Sequence, residues 1–392
     1  MTFFSAWIMV ITTIQWIMMD MYLPALPVLA EEFQTTESML NMSLNSELLM
    51  TAVGTLVSGV ISDRFGRKPI LLAGFGINIA GSLLCACAKG VTFLILMRGL
   101  QGLGSGFVIT ITTAIIKDSL TGSRFQRTMT VIQSIGAVGP IFAPAIGALL
   151  INFFSWRAIF LCLGIATLIT MLPMIISDET WPEASRKDIR MGQVLEGAVD
   201  LGRNKSFMLF LTIMSVLAIP VWAYIGVSSY VYINEFGLGN VTYGVFYSTG
   251  SFMSCLAPFV YLLLVKFLKV RKVVSVSISL MAVGGCLILT GGSFSPVIFM
   301  LGVLPVMMSE GIIRPLGYVV LLEEFKENVG TTSSWVHFVL NMVGVIGTSV
   351  ATLKWPSMVM GIWVIALTCT LIALICWVII RKQGLLRSSL NQ

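Results

Sequence analysis

Long apolar runs are the feature that most constrains this chain. A helix needs about 20 mostly apolar residues to cross a bilayer, and 57% of the 392 residues are hydrophobic while only 11% are charged. Soluble domains carry about 25% charged residues, and the runs are continuous, without the strict alternation of membrane β-strands. The sequence therefore predicts an all-α membrane protein. Its twelve predicted spans are residues 4–27, 43–62, 69–88, 92–117, 128–151, 157–177, 206–231, 243–265, 273–292, 297–322, 331–353 and 358–380.

The longest polar stretch divides the predicted spans into two sets of six. We therefore expect an N-terminal six-helix bundle at residues 1–177, a linker at 178–205, and a C-terminal bundle with a short tail at 206–392. The halves echo each other, because Arg98 of the fourth span has a counterpart in Arg314 of the tenth. Two pseudo-symmetric bundles around a midplane site are the usual plan of secondary transporters. A G-x-x-x-x-G-K-[ST] phosphate-binding motif is absent from the sequence, which argues against ATP-driven transport.

Basic residues are distributed unequally between the predicted loops. If the turn after the second span is cytoplasmic, 19 of the 24 Lys and Arg residues are cytoplasmic, three are external and two lie within spans. Cytoplasmic loops of membrane proteins carry the excess of Lys and Arg. Both termini and the linker are therefore predicted to be cytoplasmic, in an inner membrane. The net charge of +6 then needs no nucleic-acid partner.

The sequence shows no residue pattern typical of a metal site or a catalytic site. All seven cysteines fall in apolar segments, and none has the spacing of metal ligands. A nucleophile–base arrangement is not visible either, so we predict neither an enzyme nor a bound metal or cofactor. The first run has no basic n-region, and we interpret it as a retained helix and not as a cleaved signal peptide.

A short basic turn at residues 59–68 joins the second and third spans. Its glycines allow a tight bend, and it carries charges of both signs within ten residues. The residues that we single out are Gly59, Asp63, Arg64, Gly66 and Arg67.

This turn resembles the signature turn of the major facilitator superfamily. Residues 98–104 and 136–147 are similar to the fourth-helix arginine motif and the fifth-helix antiporter motif of its drug/proton antiporter branch. Residues 19–27 and 156–160 resemble the bicyclomycin/chloramphenicol-type (Bcr/CflA) multidrug resistance transporters. The specific matches lie in residues 19–160, whereas the C-terminal half matches in helix number and layout.

The resemblance implies roles for two of these motifs. The turn at residues 59–68 would brace a cytoplasmic gate, with Asp118 as the partner of Arg67; the alternative is a topogenic turn whose charges are solvated. The fifth-helix motif would seal the outer side in one state, and its alternative is ordinary packing of small residues. Its members are Gly136, Gly139, Pro140, Pro144 and Gly147.

Asp20 and Arg98 are the leading candidates for proton coupling and substrate recognition. Asp20 lies among apolar residues of the first span, where a carboxylate must be neutral, paired or next to water. Arg98 begins a polar stripe with Gln101 and Ser105 at helical spacing, which is typical of a cavity wall. The alternatives are a solvated acid at the end of the helix and a structural arginine.

Four further residues could take part in this chemistry. Glu47 is either a second functional acid or an interfacial acid facing outer water. Glu310 and Arg314 are four residues apart and can form a pair on one helix, either structural or part of a site. His337, the single histidine, can titrate near neutral pH or simply be hydrogen-bonded.

Aromatic and amide side chains are weaker candidates for a cavity wall, since aromatic rings hold planar or cationic compounds but also anchor helices at the interface. These candidates are Trp16, Trp222, Tyr224, Tyr230, Tyr247 and Asn341.

The function predicted from these residues and the resemblance is export of small amphipathic, drug-like compounds, including cations, in exchange for protons by alternating access. The proton gradient would supply the energy, and the protein would act as a monomer in the lipid bilayer. The alternatives are an exporter of one endogenous metabolite such as a siderophore, peptide or sugar, an importer with the same fold, and a non-transporting sensor or scaffold.

Overall fold

The computed structural model describes residues 3–119, 139–181, 202–324 and 329–384. Within these ranges the regular structure is entirely helical. We number the helices in chain order: α1 Phe3–Tyr22, α2 Leu26–Glu32, α3 Glu37–Phe65, α4 Arg67–Ala86, α5 Val91–Ser119, α6 Gly139–Phe153, α7 Trp156–Ile176, α8 Lys205–Ser229, α9 Asn240–Phe267, α10 Val270–Leu287, α11 Pro296–Glu324, α12 Val329–Ala351 and α13 Met358–Gln383.

The predicted spans agree with these helices where the structure describes them, and residues 128–138 of the fifth predicted span lie outside the described residues. Among the described residues, nine helices are long and apolar enough to cross a membrane, and the apolar segments Gly139–Phe153 and Trp335–Ala351 are shorter. α8 continues through a π-helical segment, Tyr230–Glu235, and α10 through Ile288–Gly292. The prediction of an all-α membrane protein is confirmed.

Polar residues set several of the helix ends. The side chains of Thr36, Asn204 and Ser357 accept hydrogen bonds from backbone N–H groups three residues later, at 3.2, 3.0 and 3.0 Å. Such N-caps satisfy donors that a helix leaves unpaired in its first turn. At the other end of α3, Gly66 has a φ of 102°, a conformation that glycine adopts without steric cost. This glycine lets α4 begin immediately after α3.

The chain forms two compact units. The first comprises Met1–Met191 with Gly239–Ser248, and the second comprises Gly192–Leu238 with Thr249–Gln392. The first residues of α9 therefore belong to the first unit and the rest of α9 to the second. The predicted boundaries at residues 177 and 205 stay a prediction.

Glycines allow close helix contact within the first unit. A Cβ atom on Gly54 would lie 2.6 Å from the carbonyl oxygen of Leu103, and one on Gly104 would lie 2.5 Å from the backbone nitrogen of Asn78. A Cβ on Gly102 would collide with the backbone of Glu47. Since contacts this short exclude any larger residue, the glycines of α5 bring α3 and α4 close to α5 on two sides.

Glycines have the same effect within the second unit. A Cβ on Gly347 of α12 would lie 2.7 Å from the carbonyl oxygen of Ile219 in α8. One on Gly284 of α10 would lie 2.6 Å from the carbonyl oxygen of Gly302 in α11. Both units therefore rely on close backbone approach.

Candidate functional site

Arg98 and Glu47 form a buried ion pair in the first unit. The guanidinium of Arg98 donates to the Glu47 carboxylate, and the two side chains are 0% and 7% exposed. Arg98 also donates to the Oε1 atom of Gln101 at 2.6 Å. A charge inside a membrane protein is costly unless it is paired and hydrogen-bonded, and this pair meets both requirements.

Polar side chains of α4 continue the network from Gln101. The Nε2 atom of Gln101 donates to the Ser82 hydroxyl at 2.8 Å, and Asn78 donates to the Ser105 hydroxyl at 2.8 Å. Thr167 of α7 donates to the Oδ1 atom of Asn78 at 3.3 Å. Sequence reasoning missed the α4 members, although Asn78 and Ser82 are four residues apart and share one face of an apolar helix.

Aromatic rings cover the charged end of this network. The guanidinium of Arg98 lies 4.6 Å from the ring centroid of Tyr22 and 5.8 Å from that of Phe160. The hydroxyls of Tyr22 and Ser43 share a hydrogen bond of 2.9 Å. Cation–π contacts of this kind strengthen when water is excluded, so the rings help to hold the buried guanidinium.

Asp20 lies in the first unit with a partner on α9. The hydroxyl of Tyr247 donates to the Oδ1 atom of Asp20 at 3.0 Å, and Asp20 is 7% exposed. Nearby, Ser248 donates to the carbonyl oxygen of Ile141 in α6. The beginning of α9 is therefore bonded to α1 and α6 through side chains.

The buried network bears on several sequence-based expectations. The sequence assigned Asp20 and Arg98 together to proton coupling, and among the described residues the carboxylate that pairs with Arg98 is that of Glu47. Glu47 is buried, which contradicts the alternative of an interfacial acid facing water, and Asp20 is likewise not a solvated helix-end acid. Gln101 and Ser105, expected on a cavity wall, are buried in the network. The physical reason is that α3, α4 and α5 pack closely enough to enclose the polar face of α5.

The turn between α3 and α4 forms a second polar cluster. Arg67 pairs with Asp63 at 2.6 Å and with Asp118 of α5 at 2.9 Å, and it also donates to Ser62 at 2.6 Å. Arg64 is exposed. The contact between Arg67 and Asp118 that the family resemblance implied is present, while the gate role of the turn stays a prediction.

The segment after α7 completes this cluster, and sequence reasoning did not include it. The Glu179 carboxylate accepts hydrogen bonds from the backbone N–H groups of Arg67 at 3.0 Å and Lys68 at 3.1 Å. The Trp181 ring lies 4.5 Å from the Arg67 guanidinium, and its indole N–H donates to the carbonyl oxygen of Asp63 at 3.3 Å. A carboxylate at a helix N-terminus is favourable. The sequence offered one signal, which was a carboxylate followed by a tryptophan just after a span.

The fifth-helix motif is described in part, because Gly136 lies outside the described residues. A Cβ on Gly147 would collide with the carbonyl oxygen of Met21, and one on Gly139 would lie 3.1 Å from the Cγ1 atom of Ile17. Pro140 and Pro144 lie on the same helix. The motif therefore packs α6 against α1, one residue from Asp20.

The second unit carries a separate polar cluster. Arg314 pairs with Glu310 one turn earlier on α11, at 3.6 Å. The next turn of α11 places Tyr318 next to His337 of α12, with ring centroids 5.3 Å apart. Glu310 and Arg314 form the i,i+4 pair that sequence spacing suggested, and His337 is exposed.

The weaker cavity candidates are dispersed. Tyr224 and Tyr230 are fully or almost fully buried, whereas Trp222 and Asn341 are half-buried. Tyr224 packs against Phe299, with ring centroids 6.1 Å apart. The side chain of Trp16 lies outside the described residues.

Comparison with known families gives one match over most of the chain. The profile described as Major Facilitator Superfamily matches residues 8–348. In shorter alignments, the chain is 28% identical over 227 residues to a protein of Klebsiella pneumoniae named Multidrug resistance protein MdtL, covering 58% of this chain and 57% of the relative. It is 34% identical over 168 residues to a protein of the same name from Escherichia coli, covering 42% of each. The chain thus spans less than two thirds of the length of these relatives.

Solved structures match over almost the full chain. The xylose transporter XylE from E. coli, in an inward-open conformation, has a TM-score of 0.73 at 15% identity and covers 96% of both chains. The nucleoside transporter NupG has a TM-score of 0.78 at 12% identity, covering 97% of this chain and 99% of its own. Identities this low show a shared fold and nothing about substrate.

Proposed function

From the premise that this chain belongs to the major facilitator superfamily, and so to a family of multi-pass membrane transporters, we propose that it exports small amphipathic compounds in exchange for protons. The printed name of the MdtL relatives, multidrug resistance protein, supports drug-like compounds as the substrate class. We place it in the inner membrane with both termini cytoplasmic, because Lys and Arg accumulate in the loops of one side. It acts as a monomer driven by the proton gradient, without a bound cofactor.

The observation that carries the proposal is the pair of buried carboxylates in the first unit. Glu47 is paired with a cation, and Asp20 is bonded to a neutral phenol. Asp20 has no cationic partner among the described residues, and an intramembrane carboxylate of this kind is most easily kept in its protonated form. Two buried acids with such different partners provide one group that stays charged and one that can exchange a proton.

In this mechanism Asp20 carries the proton. The ionised carboxylate accepts a hydrogen bond from Tyr247, whereas a protonated carboxyl group is also a donor and no longer attracts the phenol as strongly. Tyr247 lies among the first residues of α9, which belong to the first unit. Proton uptake by Asp20 would therefore loosen the bond that ties α9 to α1.

The Glu47–Arg98 pair keeps the surrounding helices in register while Asp20 changes its charge. Arg98 reaches Glu47 on α3, and its neighbour Gln101 reaches Ser82 on α4. Hydrogen bonds that link buried side chains in this way hold their helices in fixed positions. The supporting role that we assign to it differs from the part in proton coupling that the sequence suggested for Arg98.

The test is transport by purified protein in liposomes with an acidic interior. Ethidium and tetraphenylphosphonium serve as amphipathic probes, and retained probe is measured by filtration. Accumulation that needs the pH gradient and is abolished by the proton–potassium exchanger nigericin is the expected result. The Asp20→Asn variant should lose gradient-driven accumulation while still exchanging labelled for unlabelled probe. Unchanged accumulation by this variant would count against Asp20 as the proton carrier.

Other outcomes of the same assay lead to the alternatives. Transport of one siderophore, peptide or sugar from a panel, without the probes, would favour an exporter of an endogenous metabolite. Movement of substrate in the same direction as protons would favour an importer. Binding without flux in any direction would favour a sensor or scaffold.

A further inference from the structure

We propose that Arg314, Tyr318 and His337 form a binding site for a carboxylate group of the transported compound. We call these three residues the α11–α12 cluster. The inference rests on the proposed transport function and adds to it a substrate class: amphipathic compounds that carry a carboxylate, alone or together with a positive charge.

The first reason is that the side chain of Arg314 is accessible. Its side chain is 40% exposed, whereas Glu310, its partner, is 13% exposed. The exposed charge of this pair is therefore positive. The pair is also loose, since 3.6 Å between nitrogen and oxygen exceeds the usual 2.7–2.9 Å or so of a charge-assisted hydrogen bond. Arg314 thus retains donors that a ligand can use.

The second reason is the position of Arg314 along α11. It lies ten residues before the end of the helix at Glu324 and further from its start at Pro296, so it is about 15 Å from the nearer end at 1.5 Å per residue. Exposed arginines at such depth face a water-filled cavity more often than lipid, because a charge in hydrocarbon is costly. We therefore assign the exposed side of Arg314 to water, where a transported solute can reach it.

The third reason is the chemistry of the neighbours. Tyr318 lies one turn after Arg314 on the same face of α11, and its hydroxyl is buried without a hydrogen-bond partner in the described part of the chain. A buried hydroxyl left unpaired is unfavourable, and a ligand oxygen would satisfy it. His337 is exposed, its ring packs against Tyr318 at 5.3 Å, and an imidazole in either charge state supplies an N–H donor.

Together these groups favour an anion over a cation. The α11–α12 cluster offers a guanidinium, a phenol and an imidazole. The Glu310 carboxylate, its acidic neighbour in the described part of the chain, is already turned toward Arg314. The planar fork of a guanidinium matches a carboxylate in two parallel hydrogen bonds. A carboxylate is therefore the ligand group whose geometry fits this arrangement.

The experiment compares acids with their uncharged amides. The probes are naproxen and its primary amide, and indolebutyric acid and its primary amide, which share a scaffold and differ in charge. Binding to detergent-purified full-length protein is measured by thermophoresis, a readout that does not depend on flux. We expect each acid to bind about tenfold or more tightly than its amide, as charge-assisted hydrogen bonds provide.

Substitutions then test whether the preference for acids over amides depends on the α11–α12 cluster. Arg314→Gln should remove the acid preference, Arg314→Lys should retain part of it because the charge remains, and Tyr318→Phe should weaken it several-fold. Arg381→Gln, at an exposed arginine in the last turn of α13, is the matched control and should leave the preference intact. A thermal unfolding curve of each variant ensures that only folded protein is compared, and Arg314→Lys serves if Arg314→Gln does not fold.

The outcomes separate this inference from the transport proposal. If each acid binds only as tightly as its amide, or if neither compound binds, the carboxylate site is overturned even if ethidium is transported. An acid preference that survives Arg314→Gln also overturns it. Preference without any flux supports the site and contradicts the exporter. The assay is repeated in phosphatidylcholine nanodiscs with and without phosphatidylglycerol; loss of the preference with the anionic lipid would assign Arg314 to lipid headgroups and overturn the proposal.

Discussion

Glu47 and Arg98 lie on α3 and α5, and their ion pair is formed where neither side chain is more than 7% exposed. The contact depends on Gly102, because a Cβ at that position would meet the backbone of Glu47 itself. A close helix contact and a buried charge pair therefore occur at the same level of the first unit. Breaking either should disturb the other.

Removing one member of the pair should destabilise the protein strongly. Glu47→Ala leaves the Arg98 guanidinium buried and unpaired, and we expect the free energy of unfolding to fall by about 3–5 kcal/mol. Replacing both residues, as Glu47→Leu with Arg98→Met, should recover much of that loss, since no charge is then buried. Thermal and denaturant unfolding in detergent measures both effects. A double variant as unstable as the sum of the single variants would contradict the pairing.

Gly102→Ala should be far more damaging than alanine at an open glycine of the same unit. The added methyl group forces α3 and α5 apart, and overpacking of a tight core costs typically about 1–3 kcal/mol. Gly76→Ala on α4 is the matched control, because a Cβ there meets nothing within 4 Å, and alanine favours helix. Yield of folded protein in size-exclusion chromatography and its unfolding temperature provide the comparison. Equal behaviour of the two variants would show that the α3–α5 contact is looser than described.

Asp20 and Tyr247 should act as one unit in transport. Tyr247→Phe removes the hydroxyl that donates to Asp20 at 3.0 Å, and we expect the rate of probe exchange to fall by roughly threefold to tenfold, as for loss of one hydrogen bond. In the Asp20→Asn background the same change should have little further effect, because contacting residues are not additive. Initial rates of exchange of labelled for unlabelled probe, which Asp20→Asn retains, are measured for the four proteins in liposomes and complete the cycle. If the losses in rate caused by the two substitutions were fully additive, Asp20 and Tyr247 would act independently of each other.

The Glu179 contact with the start of α4 should be visible in hydrogen exchange. Glu179→Gln weakens the acceptor for the N–H groups of Arg67 and Lys68, and loss of a helix cap costs about 0.5–2 kcal/mol. Exchange of a peptide covering these amides should accelerate by a few-fold or more. Asp178→Asn, at the exposed neighbouring position, is the control and should leave exchange as in the unmodified protein. Identical exchange in all three would mean that Glu179 does not cap α4.

The helices and their family were accessible from the sequence for a simple physical reason. A helix needs about 20 apolar residues to span a bilayer. The length of each apolar run in the sequence therefore indicates which segments cross the membrane. Gly66 similarly indicates the turn between α3 and α4, because the backbone there has a φ of 102°, a conformation that favours glycine. The i,i+4 pair of Glu310 and Arg314 follows from helix geometry alone.

The partners of the buried charges were decided by the tertiary structure. Nothing local indicates whether Arg98 meets Asp20 or Glu47, because both acids lie far from it in sequence and the choice depends on how closely α3 approaches α5. The partner of Asp20 is on α9, more than half the chain away. Hydrophobic patterning thus determined which segments are helices, whereas backbone approach at glycines determined which polar side chains those helices bring together.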